Sequence, residues 1–218
     1  LCHTLLTMTS PLTTVPESTA SESTLAASID TVSILCINAN DPIGAGGINC
    51  DSLAVASMGG HPCTVATGTL VRDTLDTLDF YALPDDAVQH QAQTVLQDIP
   101  IRAIKIGFLG SIGNVRVCAE VTNDYPDIPV VAYVSSMAWW DGALIEDYLD
   151  AYEELLLPQV TVLVGAYGLL WRWLLPERTS EHPPTPRDIA RAAAEHAVPF
   201  VLVTGIPRKD QHVENVLA

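Results

Sequence analysis

The sequence predicts a three-layer α/β fold, with a mostly parallel central sheet flanked by helices, and three observations carry the prediction. From residue 31 onward, short β-rich runs alternate with helical patterns. Val130-Val131, Val162-Leu163-Val164 and Val201-Leu202-Val203 are continuously apolar, as strands buried on both faces are. The apolar run from Val32 to Ile37 leads through a glycine-rich turn into a helical pattern, the opening step of a strand-loop-helix unit.

In chain order, the pattern predicts a first strand over 31–37 and a helix over 47–58 that starts where the glycines end. A strand over 63–67 precedes a helix over 84–97, whose Pro84-Asp85-Asp86 start places a proline and two carboxylates in the first turn. The strand over 103–108 and the helix over 112–123 follow, then a strand over 129–134 and a helix over 144–157. The strand over 160–164 leads to a short helix near 169–174. Thr185-Pro186-Arg187-Asp188 opens a helix over 186–196, and the last predicted strand covers 200–204. Loops at 38–47, 68–75, 108–111, 135–142 and 165–168 all follow strands. They are expected to line one rim, because ligands of open parallel sheets collect outside the carboxyl ends of the strands.

Composition narrows the function. The 218 residues, 48% of them hydrophobic, suffice for one core, expected over 31–218. Residues 1–30 are rich in Ser and Thr, lack the charge and apolar run of a secretory signal, and are expected to form a mobile tail. A net charge of −16, from 26 acidic and 10 basic residues, repels nucleic-acid backbones and anionic membranes, so neither is an expected partner. No apolar run is long enough to span a bilayer. Five cysteines without a C-x-x-C pair predict reduced thiols and a cytoplasmic location, and no Cys/His spacing predicts a metal site.

The richest stretch is Asn40-Asp41-Pro42-Ile43-Gly44-Ala45-Gly46-Gly47-Ile48-Asn49-Cys50-Asp51. Its glycines let the main chain turn tightly and approach a small molecule, while the first N–H groups of the helix stay free to donate. It has neither the Lys-Ser/Thr of a P-loop nor the G-x-G-x-x-G spacing of a dinucleotide fold. The same turn with no ligand is the competing reading at this point.

This stretch resembles the S-D-P-S-G-G-A-G-I-Q-A-D motif of the hydroxymethylpyrimidine/phosphomethylpyrimidine kinases, ribokinase-like enzymes of thiamine biosynthesis. Further along, Ser57-Met58-Gly59-Gly60 resembles the A-L-G-A of that family, and Ile104-Lys105-Ile106-Gly107-Phe108-Leu109-Gly110-Ser111 its V-K-I-G-M-L-G-S. Leu156-Leu157-Pro158, Val201-Leu202-Val203-Thr204-Gly205 and Glu214-Asn215-Val216-Leu217 follow in the family's order. The resemblance implies ATP-dependent, Mg²⁺-assisted phosphorylation of an aminopyrimidine alcohol and then of its monophosphate. It implies substrate-binding positions at Ala39, Gly44, Gly46, Gly47, Asp51, Arg72 and Phe108. Asp51 matches the carboxylate that pairs with the amino group and ring nitrogen of the pyrimidine, and Phe108 stands where the family has Met.

Several positions depart from the family pattern. Arg72 replaces a Gln, so a group that only donates stands where one could also accept; it is expected to contact ligand or to pair with Asp51 or Asp73. Tyr133 takes the place of an acid, and Ala166 and Leu169 those of Asn and Glu, which thins the groups expected to hold metal and triphosphate. The G-T-G-C segment that forms the family's anion hole would follow Ala218. If Ala218 ends the protein, the ordinary kinase mechanism is not expected to operate. Trp139-Trp140 and Trp171-Arg172-Trp173 add aromatic mass expected to fill nucleotide space, to form a homodimer contact, or to pack as core. The competing expectation is a pyrimidine-binding or oligomer-forming homologue without catalysis.

Overall fold

The computed structural model describes residues 31–177, 182–208 and 212–218; the tail expectation for 1–30 lies outside them. The chain runs through β1 (Ser33–Asn40), α1 (Gly47–Ser57), β2 (His61–Arg72), β3 (Thr77–Ala82), α2 (Asp85–Asp98), β4 (Ile101–Ile106), α3 (Ile112–Asp124) and β5 (Val130–Val134). It continues through α4 (Gly142–Ala151), β6 (Val162–Ala166), α5 (Tyr167–Leu174), α6 (Pro186–Glu195), β7 (Phe200–Pro207) and β8 (Val213–Leu217). The sheet order is β3-β2-β1-β4-β5-β6-β7-β8. Strands β2, β1, β4, β5, β6 and β7 are mutually parallel, and β3 and β8 close the two edges antiparallel. This is the expected α/β architecture.

Connectivity assigns the layers. From β1 the chain moves to β2 in one direction and afterwards steps steadily the other way, so right-handed crossovers put α1 on one face and α2 to α6 on the opposite one. Ile104 and Ile106 are buried on the five-helix side, while Lys105 points to the α1 side. The register aligns Cys36 with Lys105 and Lys105 with Val131, and two residues further along Tyr133 with Val164 and Val164 with Leu202, two adjacent rows of side chains on the α1 face. The core gathers Leu35, Ile37, Val65, Leu163, Leu170, Ile189 and Val201, all fully buried. No helix among the described residues is long and apolar enough to cross a membrane.

Two edge strands were not expected. The segment read as a loop over 68–75 is a hairpin: β2 runs on to Arg72 and pairs with β3, with Gly68 opposite Ala82 and Arg72 opposite Thr77. Strand β8 pairs with β7, Leu217 opposite Leu202. Strand β1 also continues to Asn40, into what was read as the glycine loop. The helix expected over 144–157 stops as α-helix at Ala151 and finishes in a π-helical turn, Tyr152–Leu156, and a 3₁₀ turn, Leu157–Gln159. The last helix begins as read, with Thr185 Oγ1 accepting from the Asp188 N–H and the Asp188 carboxylate accepting from the Thr185 N–H.

Candidate active site

Strand order reverses at β1, and the crevice between the carboxyl ends of β1 and β4 is where such a sheet offers a ligand site. A cavity of about 850 Å³ lies there. Its wall combines Asn38, Ala39, Gly46, Gly47 and Asp51 from β1, the glycine turn and α1 with Lys105 and Phe108 from the β4 end. Leu70, Arg72 and Thr77 of the hairpin, Tyr133 near the end of β5, and Ser135 and Trp139 after that strand complete it. Of the seven site residues expected from sequence, Ala39, Gly46, Gly47, Asp51, Arg72 and Phe108 line this cavity. Gly44 does not; its N–H closes a turn onto the Asp41 carbonyl at 3.1 Å, with φ +69°.

The turn is built from Asp41, which is fully buried. Its carboxylate accepts from the Ile43 N–H at 3.1 Å and the Gly46 N–H at 2.9 Å, the two ends of the loop. Gly47 begins α1 at φ +63°, and a Cβ there would overlap the Ala39 carbonyl oxygen and press within 2.9 Å of the Asp41 nitrogen. Gly46 precedes α1 with no side chain capping the helix, so the first N–H groups are left for a ligand at the cavity wall.

Asp51, one turn into α1, accepts two hydrogen bonds on the same oxygen. Lys105 Nζ lies 2.7 Å from Oδ2, and Asn38 Nδ2 donates to Oδ2 at 2.8 Å. Asn38 joins three elements, because its Oδ1 also accepts from the N–H groups of Ala39 and Phe108, each at 2.9 Å. Gly107 makes room for that amide, since a Cβ would overlap it. Under the pair sits Cys36. Burial pushes its thiol up to about 11, with the Asp51 carboxylate adding to the rise and the Lys105 ammonium opposing it.

Arg72 pairs with neither carboxylate expected of it. Its Nη1 lies 3.4 Å from Asp41 Oδ2, and its Nε donates to the Asp73 carbonyl at 3.3 Å. The Asp73 carboxylate is instead used within the hairpin turn, accepting from the N–H groups of Leu75 and Asp76. Those bonds, the Asp76 one first, hold its carboxyl below the usual range. Arg72 thus ties the hairpin to the glycine turn across the cavity.

Phe108 is nearly buried, and most of its ring belongs to an aromatic cluster with Phe80, Trp139, Trp140 and Tyr148 at centroid distances of 5.0 to 6.0 Å. Trp139 lines the cavity as well, the outcome nearest to the expected filling of the rim. Trp171 and Trp173 pack half-buried against the core and do not line the cavity. Sequence reasoning missed Asn38, Asp41 and Lys105 as site residues. Each announces itself only as a polar side chain at or beside the end of an apolar strand.

The donor set is poor in free carboxylates. Of the three carboxylates that line the cavity, Asp41 and Asp51 are committed to ion pairs and Asp76 stands exposed on the hairpin, while the β5–β6 side of the rim offers the hydroxyls of Tyr133, Ser135 and Ser136. Among the described residues no three His, Cys, Asp or Glu side chains gather as a metal site. These residues therefore do not by themselves fit Mg²⁺.

Known proteins resemble this chain in sequence and in fold. The chain is 32% identical over 132 residues to the hydroxymethylpyrimidine/phosphomethylpyrimidine kinase of Mycobacterium tuberculosis, covering 60% of this chain and 48% of that one. It thus spans about half the length of the curated relatives it matches. The fold matches a crystal structure of phosphomethylpyrimidine kinase from Clostridium difficile with a TM-score of 0.72 at 20% identity, covering 86% of this chain and 80% of the other. It also matches pyridoxal kinase from Staphylococcus aureus in complex with AMP-PCP and pyridoxal, with a TM-score of 0.71 at 19% identity and coverages of 86% and 68%. The family described as phosphomethylpyrimidine kinase matches residues 41–218, and with the fold and the β1–β4 crevice in place, this chain belongs to that family.

Proposed function

We propose that the cavity binds hydroxymethylpyrimidine or its monophosphate as the acceptor of a phosphoryl group in thiamine biosynthesis. The observation that carries the reading is Asp51, held at the cavity wall by Lys105 and Asn38 with Oδ1 accepting no hydrogen bond among the described residues. A carboxylate oxygen suits the exocyclic amino group of the pyrimidine. The uncapped start of α1 and the Ala39 main chain face the polar edge of the ring, and Phe108 and Trp139 supply apolar wall. Arg72, already near Asp41, lies where a monophosphate's charge would attract it.

A nucleoside triphosphate is the phosphoryl donor in this reading. The family membership and the AMP-PCP complex of the pyridoxal kinase support it. A second reading, a binding protein without turnover, is favoured by one observation: Tyr133, rather than an acid, stands at the end of β5 in the cavity wall. Two assays separate the readings. Calorimetry with hydroxymethylpyrimidine is expected to show binding that weakens in Asp51→Ala, and unchanged affinity removes Asp51 from the site. Coupled ADP release above background supports the kinase, whereas binding without release supports the second reading.

Homodimerisation is part of the proposal, through the hairpin. Leu75, Leu78 and Tyr81 stand exposed on it, and light scattering of Leu78→Glu is expected to show a shift toward monomer.

A further inference from the structure

We infer that Lys105 is a positioning residue that fixes which oxygen of Asp51 a ligand can use. The inference rests on the proposed aminopyrimidine site and adds to it: Asp51 reads a single N–H donor rather than embracing the amino group and ring nitrogen together.

Lys105 stands near the carboxyl end of β4. It is one of two lysines in the chain, and it stands between Ile104 and Ile106, which are fully buried. Its side chain is 22% exposed and that of Asp51 is 15% exposed, so both charges are largely withdrawn from water. A lysine in that position needs a partner charge, and Asp51 is the one it has, 54 residues away in the chain. The Tyr133 ring, 6.0 Å from Nζ, flanks the ammonium on the β5 side.

A carboxylate oxygen has two lone pairs. On Asp51 Oδ2, one receives Lys105 Nζ at 2.7 Å and the other Asn38 Nδ2 at 2.8 Å. Oδ2 is therefore full, and Oδ1 remains as the acceptor. Asn38 is itself fixed by the main chain of Ala39 and Phe108, so Asp51 cannot turn without breaking either the amide contact or the ion pair. An arginine in place of Lys105 would carry the same charge but present a planar fork that takes both carboxylate oxygens.

Calorimetry on the full chain tests this with two probes, hydroxymethylpyrimidine and its desamino analogue. Lys105→Met is expected to weaken the amino compound about tenfold and the desamino analogue less than about twofold, and to cost nothing further in an Asp51→Asn background. Lys105→Arg is expected to keep the melting temperature within a few degrees while losing the same preference for the amino compound. It also serves as the folded control if Lys105→Met does not fold. Equal weakening of both probes, additive losses with Asp51→Asn, or full amino preference in Lys105→Arg would each overturn the inference and leave the proposed function standing. Failure of the unmodified chain to bind the amino compound overturns the proposed function, and the inference with it.

Discussion

Replacing Asn38 by leucine removes the one side chain that joins β1, the start of the β4–α3 loop and Asp51. The two residues are nearly equal in size, so the change is chemical rather than steric. Asn38 is 5% exposed. The N–H groups of Ala39 and Phe108 lose an acceptor at 2.9 Å each, and orphaning a buried N–H costs about 1 to 3 kcal/mol. Asp51 loses a donor at 2.8 Å but keeps Lys105, which limits that loss to about 1 kcal/mol. Added apolar burial returns roughly 1 kcal/mol. The net expectation is a destabilisation of about 3 kcal/mol, or a melting temperature lower by about 6 to 12 °C for a domain of this size. Urea unfolding followed by far-ultraviolet circular dichroism measures it, with an unchanged slope showing that the folded state is otherwise intact. Asn38→Asp gives a second test. It preserves both N–H bonds but sets a carboxylate against Asp51, so its deficit should shrink on acidification as one carboxylate takes up a proton. A cost below about 1 kcal/mol for Asn38→Leu would falsify the claim that this amide holds the site together.

Gly47→Ala forces an alanine into a left-handed conformation and pushes its Cβ onto the Ala39 carbonyl, so a loss of about 3 kcal/mol is expected in the same unfolding assay. Cys50 is the exposed one of the four described free cysteines and lines the cavity. Iodoacetamide at pH 8, followed by peptide mass mapping, should label Cys50 ahead of Cys36, Cys63 and Cys118, and hydroxymethylpyrimidine should slow that labelling. Cys36, with its pKa near 11, has only about one thiol in a thousand ionised at that pH. Burial raises the thiols of Cys36 and Cys118 from 9.0 to about 11 and about 12. The unfolded chain therefore releases these protons first, so stability should hold below about pH 9 and fall as pH rises toward 12. Cys118→Ala should flatten the upper part of that fall, and an unaltered profile would remove Cys118 as its source.

The parallel strands were legible because burial on both faces writes itself into the chain as uninterrupted apolar runs. Leu163 and Val201 sit at zero exposure where the sequence placed them. The edges were not legible. Strand β3, Thr77–Ala82, carries Asp79 among exposed residues, and β8, Val213–Leu217, mixes Glu214 and Asn215 with apolar side chains. Such strands gain their order from a neighbour already in place, which local pattern does not encode. Gly68 opens the segment read as a loop over 68–75, yet it continues β2 and gives Phe80 room to pack. The site divides in the same way. The glycine turn was readable because backbone geometry demands glycine at Gly47, whereas the partners of its carboxylates lie 31 residues away for Asp41 and 54 for Asp51. Arg72 was expected to meet ligand or to pair with Asp51 or Asp73, but the hairpin carries it back over the crevice to Asp41.

The two ion pairs of the crevice have a consequence for a protein carrying a net charge of −16. Arg72 and Lys105 are two of its ten basic side chains, and each stands against a carboxylate of the same small cavity. The two pairs cancel inside the crevice and leave Asp76, at its hairpin edge, as the remaining charge of the lining, while the molecule around it is strongly anionic. An uncharged heterocycle can settle there without dragging a counterion along, and its grip should hardly change from dilute buffer to concentrated brine.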